Sequence, residues 1–160
     1  QHVEHIGVGH LIAQGEADQV EIGDGIAALQ AVQDAGLRCA LFTNPSFPQG
    51  AIECRMGWGD LADAPFELVT HMGNATRCKP DATYYLEQLQ MMGLEPHEVL
   101  MVGNDPKRDF PSPACGIQTA YVGQGKPGRA TWHGTMEDFA RNFNAVVEAF
   151  YEHQIADELS

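Results

Sequence analysis

Hydrophobic positions along the chain fall into two recurring patterns. Four runs are short and almost continuously apolar, at 39–43 (CALFT), 66–70 (FELVT), 99–102 (VLMV) and 119–122 (TAYV). Such runs are too short and too evenly apolar for amphipathic helices, and they read as strands buried on both faces. Between them the spacing is helical. Ile26, Leu29 and Val32 recur in 25–35, which stops at Gly36, and 82–92 (ATYYLEQLQMM) follows Pro80 and Asp81 and stops at Gly93. Proline before a helix and glycine after it are its usual punctuation. A shorter helix is expected over 49–62 and a long last one over 135–153, with Phe139, Phe143, Val146, Val147 and Phe150 on one side. That stripe suits packing on the sheet or a dimer contact. Residues 5–12 (HIGVGHLI) fit a short strand or the tail of a helix, and 123–134 (GQGKPGRATWHG) a glycine-rich surface loop. Strand and helix alternate, so the expected class is α/β, a three-layer parallel sheet with helices on both faces.

Composition narrows the partners rather than the fold. At 160 residues, with 44% hydrophobic and 19% charged residues, the chain is about one domain long and can bury a core. Its net charge of −13, from 22 acids against 9 bases, argues against nucleic acid or an anionic membrane held by non-specific attraction. An anionic ligand must therefore be met by a local site. No apolar run approaches a membrane span, no signal-like segment opens the chain, and Cys39, Cys54, Cys78 and Cys115 form no C-x-x-C pair. A reducing, cytoplasmic setting is the expectation. The seven histidines make no metal pair at helical spacing. The chain opens on Gln1 rather than methionine, which suggests a missing beginning.

In a parallel sheet, ligands collect at the carboxyl ends of the strands. Three of the four expected strands are followed by polar groups suited to one. Thr43 and Asn44 follow CALF, the loop after FELVT leads to Lys79, and Asp105 and Asp109 follow VLMV. Each has an ordinary alternative: turn chemistry for Thr43 and Asn44, a solvated side chain for Lys79, a helix cap for Asp105. Their joint occurrence, in order, at successive strand ends favours one shared crevice.

These residues carry a resemblance. LFTN, RCKPD and VGNDPKRD resemble the second, third and fourth motifs of the haloacid dehalogenase-like hydrolase superfamily, over about 20–122. The resemblance implies a Rossmann-like core and, in the phosphatases, Mg2+ held by carboxylates, water and phosphate. On that pattern Asp105 and Asp109 stand as metal residues, with Asp109 placed to support Asp105 or to orient Lys79. Thr43 would donate to a phosphoryl oxygen, Asn44 would shape that pocket, and Lys79 would offset the charge of phosphate and nucleophile. The implied ligand is a small phosphorylated molecule.

The family's first motif, an aspartate nucleophile with a second aspartate two residues on, is absent. GEAD (15–18) and EIGDG (21–25) lack both the spacing and the preceding apolar strand, and Asp24 is expected in a turn. In the family's sheet the strand bearing that motif lies centrally, between the strands of Thr43 and Asp105. The expectation is thus an incomplete core over 19–160, its central first strand missing from this chain, preceded by a cap remnant or linker over 1–18. The open slot would need HIGVGHLI, a homodimer partner or another chain to fill it. Such a chain should lack turnover. It would be a hydrolase without its nucleophile or a non-catalytic domain binding metal, phosphate or a protein partner. A metal-free dehalogenase is disfavoured by the paired acids.

Overall fold

The computed structural model describes residues 5–9, 19–58, 63–64 and 66–160. Five parallel strands form one sheet: β1 (His5–Gly9), β2 (Arg38–Phe42), β3 (Val99–Gly103), β4 (Gln118–Val122) and β5 (Trp132–Gly134), in the order β2-β1-β3-β4-β5. Alternate side chains of one strand enter opposite cores, which is why the runs are apolar without interruption. Cys39, Leu41, Leu100, Val102, Ala120 and Val122 face helices α1 (Gln19–Asp34), α2 (Gln49–Trp58), α4 (Met136–Arg141) and α5 (Phe143–Leu159). Ala40, Phe42, Val99 and Met101 face α3 (Ala82–Met92), whose Tyr84, Tyr85 and Leu89 fill the other core. The three-layer arrangement expected from the pattern is the one observed.

The central slot is where the structure corrects the sequence reading. β1 lies between β2 and β3, with Ile6 opposite both Cys39 and Leu100. Of the ways to fill the slot that the sequence left open, the structure takes the first: HIGVGHLI supplies the strand. Residues 5–9, expected within a cap remnant, are paired in the core sheet, while 1–4 and 10–18 lie outside the described residues. A segment with glycine at every second place gives no clean period of either kind, so only the two exposed strand edges decide its state. The strand that takes this place carries no aspartate.

Smaller differences have similar causes. FELVT makes a single bridge, Val69 to Leu41, rather than a full strand. Its apolar residues serve the core from irregular backbone. The loop expected over 123–134 ends in β5, paired beside β4. The last helix is two, broken at Asn142, whose φ of −111° and ψ of 33° leave the helical region. Phe139 and Phe143 pack ring against ring at 5.5 Å across that break, so the hydrophobic stripe survives it and hides it in the sequence. The second helix is described over Gln49–Trp58, the expected residues 59–62 lying outside the described residues, and Asp24 lies inside α1, not in a turn. By contrast, α3 has the bounds its punctuation implied, with Asp81 capping Thr83 N–H and Gly93 left-handed at φ 72°.

Candidate active site

Three loops, after β2, before α3 and after β3, meet with α3 at the carboxyl end of the sheet. After Gly103 the chain turns back on itself through Asp109, which is completely buried. One carboxylate oxygen of Asp109 accepts the N–H groups of Asn104 (3.1 Å) and Asp105 (3.0 Å); the other accepts Lys79 Nζ at 2.8 Å. Taking both charges out of water is costly, and the two backbone donors help to offset it. The turn is tight enough that a Cβ on Gly103 would stand 2.6 Å from the Asp109 Cβ.

Asn44 ties the loop after β2 to the loop before α3, its Oδ1 accepting the Lys79 N–H at 2.9 Å. Thus Asn44, Lys79, Asp109 and Asp105 form one connected chain of bonds. Asp105 is its solvent-facing end, with a side chain 41% exposed. Its Oδ1 accepts the Lys107 and Arg108 N–H groups, and its Oδ2 lies 3.6 Å from Arg108 Nε. Thr43 stands beside this chain but is turned inward. Its hydroxyl donates to Thr70 O at 2.9 Å, and its N–H donates to Thr70 Oγ1 at 2.6 Å.

Sequence reasoning missed the residues that hold these loops. Thr70 is fully buried and bonded to Thr43 through backbone and side chain. The Tyr84 hydroxyl donates to Thr43 O at 2.5 Å, and that of Tyr85 to Asp109 O. Adjacent phenols on α3 therefore pin the two site loops. A signal existed for Thr70, since FELVT ends in threonine as CALFT does. For the tyrosines none did, because two apolar rings on a helix read simply as core.

Burial is the main cause that raises both phenols well above the ordinary tyrosine value, with Asp109 pushing in the same direction. Their folded pKa values lie above the unfolded one near 10, so folding holds the protons more tightly. Stability they contribute is complete below about pH 10 and falls above it. Melting temperature should accordingly drop in alkali, and Tyr84→Phe/Tyr85→Phe should make that drop shallower. An unchanged alkaline slope would refute the assignment.

The sequence model of haloacid dehalogenase-like hydrolases matches residues 7–115, about two thirds of the chain. The chain belongs to that family. Its fold is also that of solved relatives. A beta-phosphoglucomutase from Clostridium difficile is 14% identical with a TM-score of 0.64, the alignment covering 81% of this chain and 56% of that one. A HAD family hydrolase from Deinococcus radiodurans, solved with bound phosphate and sodium, is 17% identical with a TM-score of 0.60, covering 79% and 59%. An uncharacterized protein from Listeria monocytogenes serotype 4b is 15% identical with a TM-score of 0.66, covering 91% and 97%. This chain thus spans little more than half the length of the first two. No match is found among curated proteins.

Within this haloacid dehalogenase-like core, the described residues gather no group of three or more histidine, cysteine or acidic side chains. Asp109 has both oxygens engaged, which leaves Asp105 as the site's available carboxylate. Mg2+ commonly binds through one or two carboxylates with waters and substrate phosphate, so a single acid fits it when phosphate is present as well. No described helix is long and apolar enough to cross a membrane.

Proposed function

We propose that this chain is the phosphate-binding and Mg2+-binding part of a phosphatase-like hydrolase acting on a small phosphorylated metabolite in the cytoplasm. The observation that carries the reading is the bonded chain from Asn44 through Lys79 and Asp109 to Asp105, a fixed ammonium beside an accessible carboxylate. Lys79 donates to Asp109 from a fully inaccessible position, so its remaining donors meet a phosphoryl oxygen only when the loop over it opens. Asp109 serves as a positioning residue that fixes the lysine, and Asp105 as the metal ligand. Asn44 holds the Lys79 backbone, while Thr43 shapes the pocket from behind unless its hydroxyl turns away from Thr70. When bound, Mg2+ supplies charge neutralisation at the phosphoryl oxygens.

The covalent step of such a hydrolase needs an aspartate that the sequence does not place in any D-x-D setting. Without one, the 160-residue polypeptide binds but does not turn over. β1 in the nucleophile strand's place, bearing no acid, and the inward-turned Thr43 hydroxyl favour a second reading, a non-catalytic binding domain of the same fold.

The test is calorimetric titration with inorganic phosphate, with and without Mg2+, alongside an assay on an aryl phosphate. Phosphate should bind with a Mg2+ requirement, and Asp105→Ala should weaken it at least about tenfold, a cost of 1.4 kcal/mol, without moving the melting temperature. Absence of phosphate binding sinks the proposal. Turnover that disappears with Asp105→Ala would show instead that the chain is catalytically complete.

A further inference from the structure

The cations of this acidic chain are not evenly spread. Six of its nine lysines and arginines, Arg77, Lys79, Lys107, Arg108, Lys126 and Arg129, lie in loops that lead away from the carboxyl end of the sheet. Four of them occupy two neighbouring loops. Lys107 and Arg108 follow β3, Lys126 and Arg129 follow β4, and the two strands pair directly. The loops also run close together, since a Cβ added to Gly128 would lie 3.9 Å from the Pro106 side chain.

All four side chains belong to exposed residues. Lys107, Lys126 and Arg129 make no ion pair with any described acid, and Arg108 reaches only Asp105, at 3.6 Å. Residues 123–134 contain no acid. Neither structure nor neutralisation thus accounts for the cluster, which bears the cost of its own repulsion. At a net charge of −13 the long-range field repels anions, and only a local excess within about a Debye length, roughly 8 Å, can reverse that. A single phosphate beside Lys79 and Asp105 leaves most of this excess unmatched.

We propose that Lys107, Arg108, Lys126 and Arg129 form a subsite for a second anionic group, so that the ligand is a small molecule carrying two: a bisphosphate or a phosphorylated carboxylic acid. The inference rests on the reading of Asp105 and Lys79 as the place of the first phosphate. The subsite adjoins it through Arg108, which faces Asp105 directly. Arginine suits a carboxylate or phosphate by paired donors, and the lysines add charge without directional demand.

The experiment is titration of the full chain with methyl phosphate, 1,3-propanediol bisphosphate and 3-phosphopropionate, each with Mg2+ at low and high salt. The two doubly anionic probes should bind about tenfold more tightly than methyl phosphate at low salt, a preference that shrinks as salt rises. Lys126→Ala/Arg129→Ala, in an exposed loop, should reduce the preference to less than about twofold. Equal affinities for all three probes overturn the subsite and leave the single-phosphate reading standing. A preference that survives the double substitution overturns the assignment to these loops. Binding of none of the probes overturns both readings together. Tighter binding of a twelve-nucleotide oligothymidylate than of either small dianionic probe would make the face a nucleic-acid surface and overturn the ligand class.

Discussion

Replacing Lys79 with methionine should lower stability by about 3–5 kcal/mol, because it leaves the Asp109 carboxylate buried without its partner. Both side chains are fully inaccessible and 2.8 Å apart, so no water can take the lysine's place without opening the loop. In a chain of this size such a loss corresponds to a fall in melting temperature on the order of 10 °C. Lys79→Met/Asp109→Leu should recover part of it, since an apolar pair of similar bulk removes the unpaired charge. Recovery stays incomplete because the Asn104 and Asp105 N–H groups lose their acceptor. Phosphate binding should be absent from both variants. A thermal scan of the two side by side decides the matter, and a single variant as stable as the parent would show that the buried pair is not formed.

Gly103→Ala should be nearly as damaging, although it adds one methyl group at an ordinary backbone conformation. The new carbon would stand 2.6 Å from the Asp109 Cβ, 2.9 Å from its Cγ and 2.8 Å from a carboxylate oxygen. These atoms cannot swing aside, because the carboxylate is held by two N–H groups and by Lys79. Overpacking of this kind costs about 1–3 kcal/mol by itself, and displacing Asp109 adds part of the ion pair's loss. A melting temperature lowered by several degrees together with at least tenfold weaker phosphate binding is the expected result. An alanine variant with native stability and binding would show that the turn after β3 is looser than described. The control is Gly50→Ala, where an added Cβ meets nothing within 4 Å.

Much of the core was legible because its signals are local. β2, β3 and β4 follow uninterrupted apolar runs, and α3 follows an aspartate cap and a left-handed glycine, each readable within about a dozen residues. β1 and β5 were not, since neither run has a period of its own. β1 gains its strand state from one neighbour on either side, β2 and β3, and β5 from β4. The site divides in the same way. Asn44, Lys79, Asp105 and Asp109 were identifiable as polar residues at successive strand ends. Their differing situations, Asp109 sealed and Asp105 open, depend on a turn that no spacing rule encodes.

By itself, then, the sequence determined a parallel α/β core, the face on which chemistry collects and the lack of an aspartate pair in the family's first motif. These follow from hydrophobic period, punctuation and residue identity, all properties of short segments. Only the tertiary structure decided that His5–Gly9 occupies the centre of the sheet, that Tyr84, Tyr85 and Thr70 brace the loops, and that the two cation-bearing loops follow directly paired strands. Each of these joins segments tens of residues apart, where strand-edge pairing, buried hydrogen bonds and charge proximity act through space.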